Sequence, residues 1–294
     1  MNYQYYITEL FVFVDDFFKA SQKSKHWNRL KYLWDNRRGF KKRLSLSEVV
    51  TLNIIRYFMR TRDLKTFHRI AKVFMVKYFP GIPNYENFQK ATNRSLPFIL
   101  LFFRYLLEQN GKSKTLFLID STDLSVCENH NIYTHKVFKG LAGRGRTTTR
   151  WFYGFKLHSI TDEGGNIVNV FLTPGNVHDN VVLKSLLRDI KGIFVADSGF
   201  LINQKELLAF FKKHQLLYIA PRKNMKKIMT KKQYEMMKKR TRIETVWDVL
   251  KERYGLVFHL ARSFTGLLRH YIYSLISYIL QKNQCNSPLL LNEI

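Results

Sequence analysis

Hydrophobic and polar positions follow one rhythm up to about residue 108 and another beyond it. In "LSLSEVVTLNIIRYFMR" the apolar positions Val49, Leu52, Ile55 and Tyr57/Phe58 recur every three to four residues, the spacing of one helix face. Ser45 stands three residues before Glu48, the pattern in which each side chain caps the other's backbone at a helix start. "NYENFQKATNR", after Pro83, predicts another short helix. The apolar runs "LPFILLFFRYLL" and "LLRHYIYSLISYIL" contain Arg104, Arg269 and His270 and fall short of the ~20 residues that cross a bilayer, so they read as core helices.

After the polar stretch "QNGKSK" (109–114) the pattern changes. "TLFLID" (115–120), "WFYGFKLHSIT" (151–161), "NIVNVFLTP" (166–174), "GIFVAD" (192–197) and "LLYIAP" (216–221) predict five strands, with "DEGGN" turning a hairpin between the second and third. "HDNVVLKSLLRDI" (178–190), "NQKELLAFFKKH" (203–214) and residues 233–254 predict helices. The order β-β-β-α-β-α-β-α describes an α/β domain: a mixed five-stranded sheet led by a hairpin, with flanking crossover helices. An all-α N-terminal region precedes it. The expected boundaries are a helical region at 1–110, the α/β core at 111–258 and a C-terminal helical segment at 259–294. Several short basic helices in the first region suggest a DNA-contacting module of helix-turn-helix type; a purely structural bundle is the alternative.

Charge narrows the class. The chain of 294 residues carries 49 Lys and Arg against 22 Asp and Glu, a formal net charge of +27. Residues 1–110 hold 20 basic and 8 acidic side chains, so the excess is not confined to a tail. A body this positive repels itself unless it lies along a polyanion. The two cysteines, Cys127 and Cys285, make no disulfide framework and suit a reducing cytoplasm. "MNYQYYITELF" lacks the basic start of a signal peptide, and no membrane association is expected.

Two of the apolar strands run into aspartates, Asp120 in "FLIDS" and Asp197 in "FVADSGF". In sheets with crossover helices, sites gather beyond the carboxyl ends of strands. On neighbouring strands these carboxylates would sit side by side, and a divalent cation would remove their repulsion. The late helix "KKRTRIETVWDVLKERYG" adds a third. At about 100° per residue, Ile243, Val246, Trp247, Leu250 and Tyr254 share the buried face, and Arg240, Glu244 and Lys251 line a stripe beside it. Asp120, Asp197 and Glu244 are hard oxygen donors that suit Mg²⁺ or Mn²⁺. Two such ions would serve an in-line displacement at a phosphodiester, and the +27 charge points to DNA. The bland reading is an N-cap or turn role for each aspartate.

The basic stretch 221–242 contributes Arg222, Lys223 and Lys226 as candidate phosphate contacts. "GLAGRGRTTTRW" contributes Arg144 and Arg146 on what reads as a flexible loop, and the second strand contributes Lys156. Cys127, His130 and His135 lack the paired spacing of a zinc site.

Taken together, "FLIDST" (117–122), "HKVFKGLAGRG" (135–145), "WFYGFKLH" (151–158), "LTPGNVHD" (172–179), "ADSGF" (196–200), "RKNMK" (222–226) and "RTRIETVWDVLK" (240–251) resemble the DDE transposases of bacterial insertion sequences. The nine-eighty-two insertion-sequence family looks closest. The resemblance implies an RNase H-like core, with Asp120, Asp197 and Glu244 as both catalytic and metal-binding triad. It also implies basic roles for Arg240 and Lys251 on the glutamate helix. The position where the related signature has tyrosine is Met237, and the usual lysine after the second aspartate is Ser198. The reaction it implies is Mg²⁺- or Mn²⁺-dependent cleavage at the element's ends, followed by attack of the freed 3′-hydroxyl on target DNA. The partners would be double-stranded DNA, as terminal inverted repeats and target, and a second copy of the chain in the DNA complex. The setting would be a bacterial cytoplasm, at the nucleoid. A structure-selective nuclease or resolvase on the same fold is the competing enzyme, and a non-catalytic DNA-binding protein is the competing binder.

Overall fold

The computed structural model describes residues 3–35, 43–147, 149–220 and 230–286, and the chain divides into two compact units. The first comprises Met1–Leu106 together with Glu252–Ile294; the second is Leu107–Lys251.

The first unit is helical: α1 (Tyr3–Ser21), α2 (Lys25–Asp35), α3 (Leu46–Phe58), α4 (Leu64–Phe74), α5 (Tyr85–Arg94), most of α6 (Leu96–Gly111), and α11 (Phe264–Asn286). Its centre is α3, where Val49, Val50, Leu52 and Ile54 are wholly buried. The start of α3 is the capping box the sequence announces. The Ser45 hydroxyl accepts from the Glu48 amide at 3.1 Å, and the Glu48 carboxylate accepts from the Ser45 amide at 2.6 Å. Helix α11, from the C-terminal segment, packs within this unit. Tyr273 of α11 stacks on Tyr57 of α3 at 6.0 Å and 21°, and Tyr57 reaches His270.

The second unit is a six-stranded mixed sheet with helices. Its strands are β1 (Leu116–Cys127), β2 (Gly143–Arg146), β3 (Trp151–Asp162), β4 (Ile167–Pro174), β5 (Gly192–Ala196) and β6 (Gln215–Ile219). The order is β2-β3-β1-β5-β6. β1 lies antiparallel to β3 and parallel to β5, and β5 is parallel to β6. β4 also pairs with β3, along 155–161, and β2 takes 151–154, so the two share one edge of β3 end to end. The helices are α7 (Leu183–Leu186), α8 (Gln204–Phe211), α9 (Lys231–Lys239) and α10 (Thr241–Glu252). Phe117, Ile119, Ile160 and Phe194 on one sheet face form a continuous core with Leu183 and Leu186 of α7 and Phe210 of α8.

Four sequence expectations change. β2 falls in the stretch read as a loop. Glycines at 143 and 145 carry no strand signal, yet they are what lets β2 approach. A Cβ on Gly145 would stand 2.3 Å from the Gly175 carbonyl oxygen and 2.5 Å from the Phe152 ring. The helix expected over 178–190 contracts to a 3-10 turn (Asp179–Val182) and the short α7. Asp189 takes a left-handed φ of 63°, and the buried Gln215 amide donates to the Leu187 and Ile190 carbonyls at 2.6 and 2.8 Å, satisfying groups a longer helix would use. The helix expected over 233–254 is two helices meeting at Arg240, where the Thr241 hydroxyl donates to the Lys238 carbonyl. Finally, β1 does not stop at Asp120 but continues to Cys127 along β3.

Candidate active site

The strands set the first two carboxylates. The parallel pairing of β1 with β5 ends at Ile119↔Ala196, so Asp120 and Asp197 are the next residues on adjacent strands. Asp120 stays paired to Ser159 of β3, which holds its backbone. Asp197 leaves the sheet and starts a 3-10 turn, Ser198–Phe200, whose Phe200 amide donates to the Asp197 carbonyl at 3.0 Å. The Asp120 side chain is 18% exposed, whereas Asp197 lies at the surface.

Alternation decides which face carries the site. Asp120, Thr122 and Leu124 share a face with their β3 partners Ser159, Leu157 and Phe155. The face behind carries Ile119 and the α7–α8 core. The junction of α9 and α10 reaches the Asp120 face. The Arg240 guanidinium stands 3.7 Å from Asp120 Oδ1 and 3.2 Å from Glu244 Oε1, so it links two of the three carboxylates. Ile243, Val246, Trp247 and Leu250 bury the other side of α10 and leave Glu244, 53% exposed, at the edge.

The electrostatics are those of a site rich in negative charge. Burial pushes the Asp120 carboxyl up to about 6, and the charges of Asp197 and Glu244 add to the rise. Arg240 and the Ser121 amide oppose it. Among the described residues, no three His, Cys, Asp or Glu side chains stand close enough together to hold a metal ion as they are placed. The Asp120 carboxylate thus lies within electrostatic reach of both Asp197 and Glu244, and the Arg240 guanidinium stands between Asp120 and Glu244.

The remaining candidates fall into three groups. Arg144 and Arg146 lie on β2 opposite Tyr153 and Trp151, and both guanidinium groups sit over the half-exposed Trp151 ring, at 5.1 and 5.5 Å. By alternation along β3 this Arg–Trp–Arg group faces the same way as Asp120. Sequence reading passed over Trp151, although an aromatic next to alternating Gly-Arg was the available signal. Lys251 lies in the last turn of α10, about 10 Å along the axis from Glu244. Lys156 is placed differently. It projects from the opposite face, where its ammonium donates to Asp179 Oδ1 at 2.9 Å and to the Val177 carbonyl at 3.2 Å. Arg222, Lys223 and Lys226 lie outside the described residues.

A family model described as "Transposase DDE domain" matches residues 110–263. The chain belongs to the DDE transposases. No curated protein matches it. Membership makes the chain an enzyme that acts on DNA, and its mixed sheet with flanking helices is the RNase H-like architecture of such a domain. The matched span contains β1, β5 and α10, and with them the three candidate carboxylates Asp120, Asp197 and Glu244. Among the described residues no helix is long and apolar enough to cross a membrane.

Proposed function

We propose that this transposase cuts DNA at the ends of an insertion sequence and joins the resulting 3′-hydroxyl to target DNA, and that it belongs to the nine-eighty-two kind. Asp120, Asp197 and Glu244 are its catalytic carboxylates. The observation that carries the reading is the Arg240 bridge between Asp120 and Glu244, one register step from Asp197. Residues far apart in the chain meet where a strand pair ends, and their charges act on one another.

Enzymes of this family generally use divalent metals. The donor set suits them: three carboxylates, hard oxygen ligands, with more negative charge than Arg240 neutralises. Asp120, Asp197 and Glu244 would hold Mg²⁺ or Mn²⁺, as two ions. The metal would stabilise the entering and leaving oxygens of the displacement. The protein's own part is positioning. β3 holds the Asp120 backbone at the point where β5 ends. Arg240 keeps Asp120 and Glu244 compatible before DNA arrives, and its planar fork matches a phosphate equally well. Arg144, Arg146 and Trp151 offer cations and a stacking surface on the same face. Lys251 and the basic stretch with Arg222, Lys223 and Lys226 extend the contact along the backbone, the helical unit supplies recognition of the terminal repeats, and two copies hold two ends. Such a protein would work at the nucleoid of a bacterial cytoplasm.

The test is strand joining. A pre-cut element end is supplied with a target plasmid and Mg²⁺. Joined product is expected. Cleavage of an uncut end without any joining of the pre-cut one would instead identify a nuclease or resolvase on the same fold.

A further inference from the structure

Lys156, His158, Thr173 and Asp179 form a polar cluster on the sheet face opposite Asp120, and nothing in the proposed chemistry uses it. Lys156 and Asp179 are largely buried, at 16% and 19% side-chain exposure, and His158 is wholly buried. The Lys156 ammonium donates to Asp179 Oδ1 at 2.9 Å. His158 Nε2 bonds Thr173 Oγ1 at 3.0 Å. Its Nδ1 has no hydrogen-bond partner and points at the same Asp179 oxygen from 3.7 Å. A buried ion pair beside an unsatisfied imidazole nitrogen is a poor way to gain stability, because desolvation offsets most of the attraction.

Its placement offers a reason to keep it. Asp179 opens a 3-10 turn that packs against the Ser198–Phe200 turn, the one Asp197 starts. A Cβ on Gly199 would stand 2.9 Å from Asp179 Oδ2, so the carboxylate lies directly against that backbone. The His158 ring meets the Phe200 ring edge-on at 6.4 Å and 83°. Asn180, next to Asp179, donates its side-chain amide to the Leu201 carbonyl at 3.3 Å. The turn behind Asp197 is therefore gripped at three successive residues by groups around one ion pair. Asp197 itself is exposed and has left the sheet, and its turn is otherwise anchored by the Phe200 ring, buried in the core.

We propose that Lys156, His158 and Asp179 are positioning residues that set the Asp197 carboxylate from behind the sheet. This rests on the carboxylate reading above. It gives Lys156 a role other than the DNA contact the sequence suggested.

The experiment measures Mn²⁺ binding to the full-length protein by calorimetry, with thermal melting and metal-free duplex binding alongside. Asp179→Asn and Lys156→Gln should each weaken Mn²⁺ binding by about tenfold or more, the usual size of an outer-shell loss. The double variant should bind Mn²⁺ no more weakly than Asp179→Asn alone, and duplex affinity should stay near wild type; melting should fall in each single variant, which leaves a buried partner unpaired, and serves to show that the protein is folded at the assay temperature. Wild-type Mn²⁺ affinity in folded Asp179→Asn overturns the proposal, as do additive losses in the double variant. If Asp179→Asn does not fold, Gly199→Ala decides: its Cβ displaces the Asp179 carboxylate, so weaker Mn²⁺ binding is expected and unchanged binding overturns the proposal. Asp120→Asn separates the two readings. If it leaves Mn²⁺ affinity unchanged, the carboxylate reading itself fails. If it abolishes binding while Asp179→Asn binds Mn²⁺ as wild type does, only the positioning role fails.

Discussion

Each unit groups ionisable side chains, and the two clusters are built on different terms. In the helical unit, His270 Nε2 donates to the Gly255 carbonyl at 3.0 Å and its Nδ1 accepts from the Tyr57 hydroxyl at 2.9 Å. Tyr57 in turn accepts from Arg56 at 2.9 Å. Burial, with the nearby Arg56 charge, pushes the imidazole down to about 3, so it stays neutral and fully bonded. In the sheet unit, Asp120 faces Asp197 and Glu244 with Arg240 as the cation that opposes them, and the His158 nitrogen behind is unsatisfied. The His270 imidazole is satisfied at both nitrogens, although Arg56 Nε beside it has no partner. The group around Asp120 instead carries an excess of negative charge, the kind of imbalance a cation resolves.

The comparison breaks most visibly at Asp120. Asp120→Asn should reduce metal-dependent cleavage by about a thousandfold or more while duplex binding persists. Without metal the variant should melt higher than wild type, because a crowded buried carboxylate is gone. Cleavage near the wild-type rate, measured on a labelled element end, would dissolve the distinction between the clusters. His270 comes next. Its imidazole takes a proton near pH 6.5 when unfolded but only near pH 3 in the fold. The stability it contributes is therefore complete above pH 6.5 and is lost as the pH falls toward 3, by up to a few kcal/mol. Denaturant unfolding at pH 7 and pH 5 should show that loss, and His270→Gln should flatten it. Tyr57→Phe should cost about 1–3 kcal/mol by stranding His270 Nδ1 and one Arg56 bond, with cleavage by the folded fraction unchanged. Ser45→Ala should cost only about 1 kcal/mol, the value of a helix cap, and leave metal dependence untouched.

The sequence made some of this legible for plain reasons. Ser45 and Glu48 are three residues apart, so their capping box needs no tertiary information. Apolar runs ending in Asp120 and Asp197 mark strand pairs that end at a site. Other features depend on partners far away in the chain. Asp120 looked like a strand tip because only its parallel partner stops there, and the antiparallel one carries on to Tyr153. The Arg240 junction arises where the Thr241 hydroxyl competes for a helix carbonyl and two carboxylates draw the guanidinium, one of them from β1. β2 hid behind glycines, whose value lies in the Gly175 and Phe152 atoms they leave room for. Asp179 read as part of a helix, and its contact with Gly199 spans twenty residues.

The four residues of β2 have one more consequence. They occupy the stretch of β3 that β4 does not reach. Were Gly143–Arg146 trimmed away, Trp151 to Tyr153 would present unpaired backbone groups along that edge, a template on which another chain could add itself. That short strand replaces a longer open edge with one of four residues.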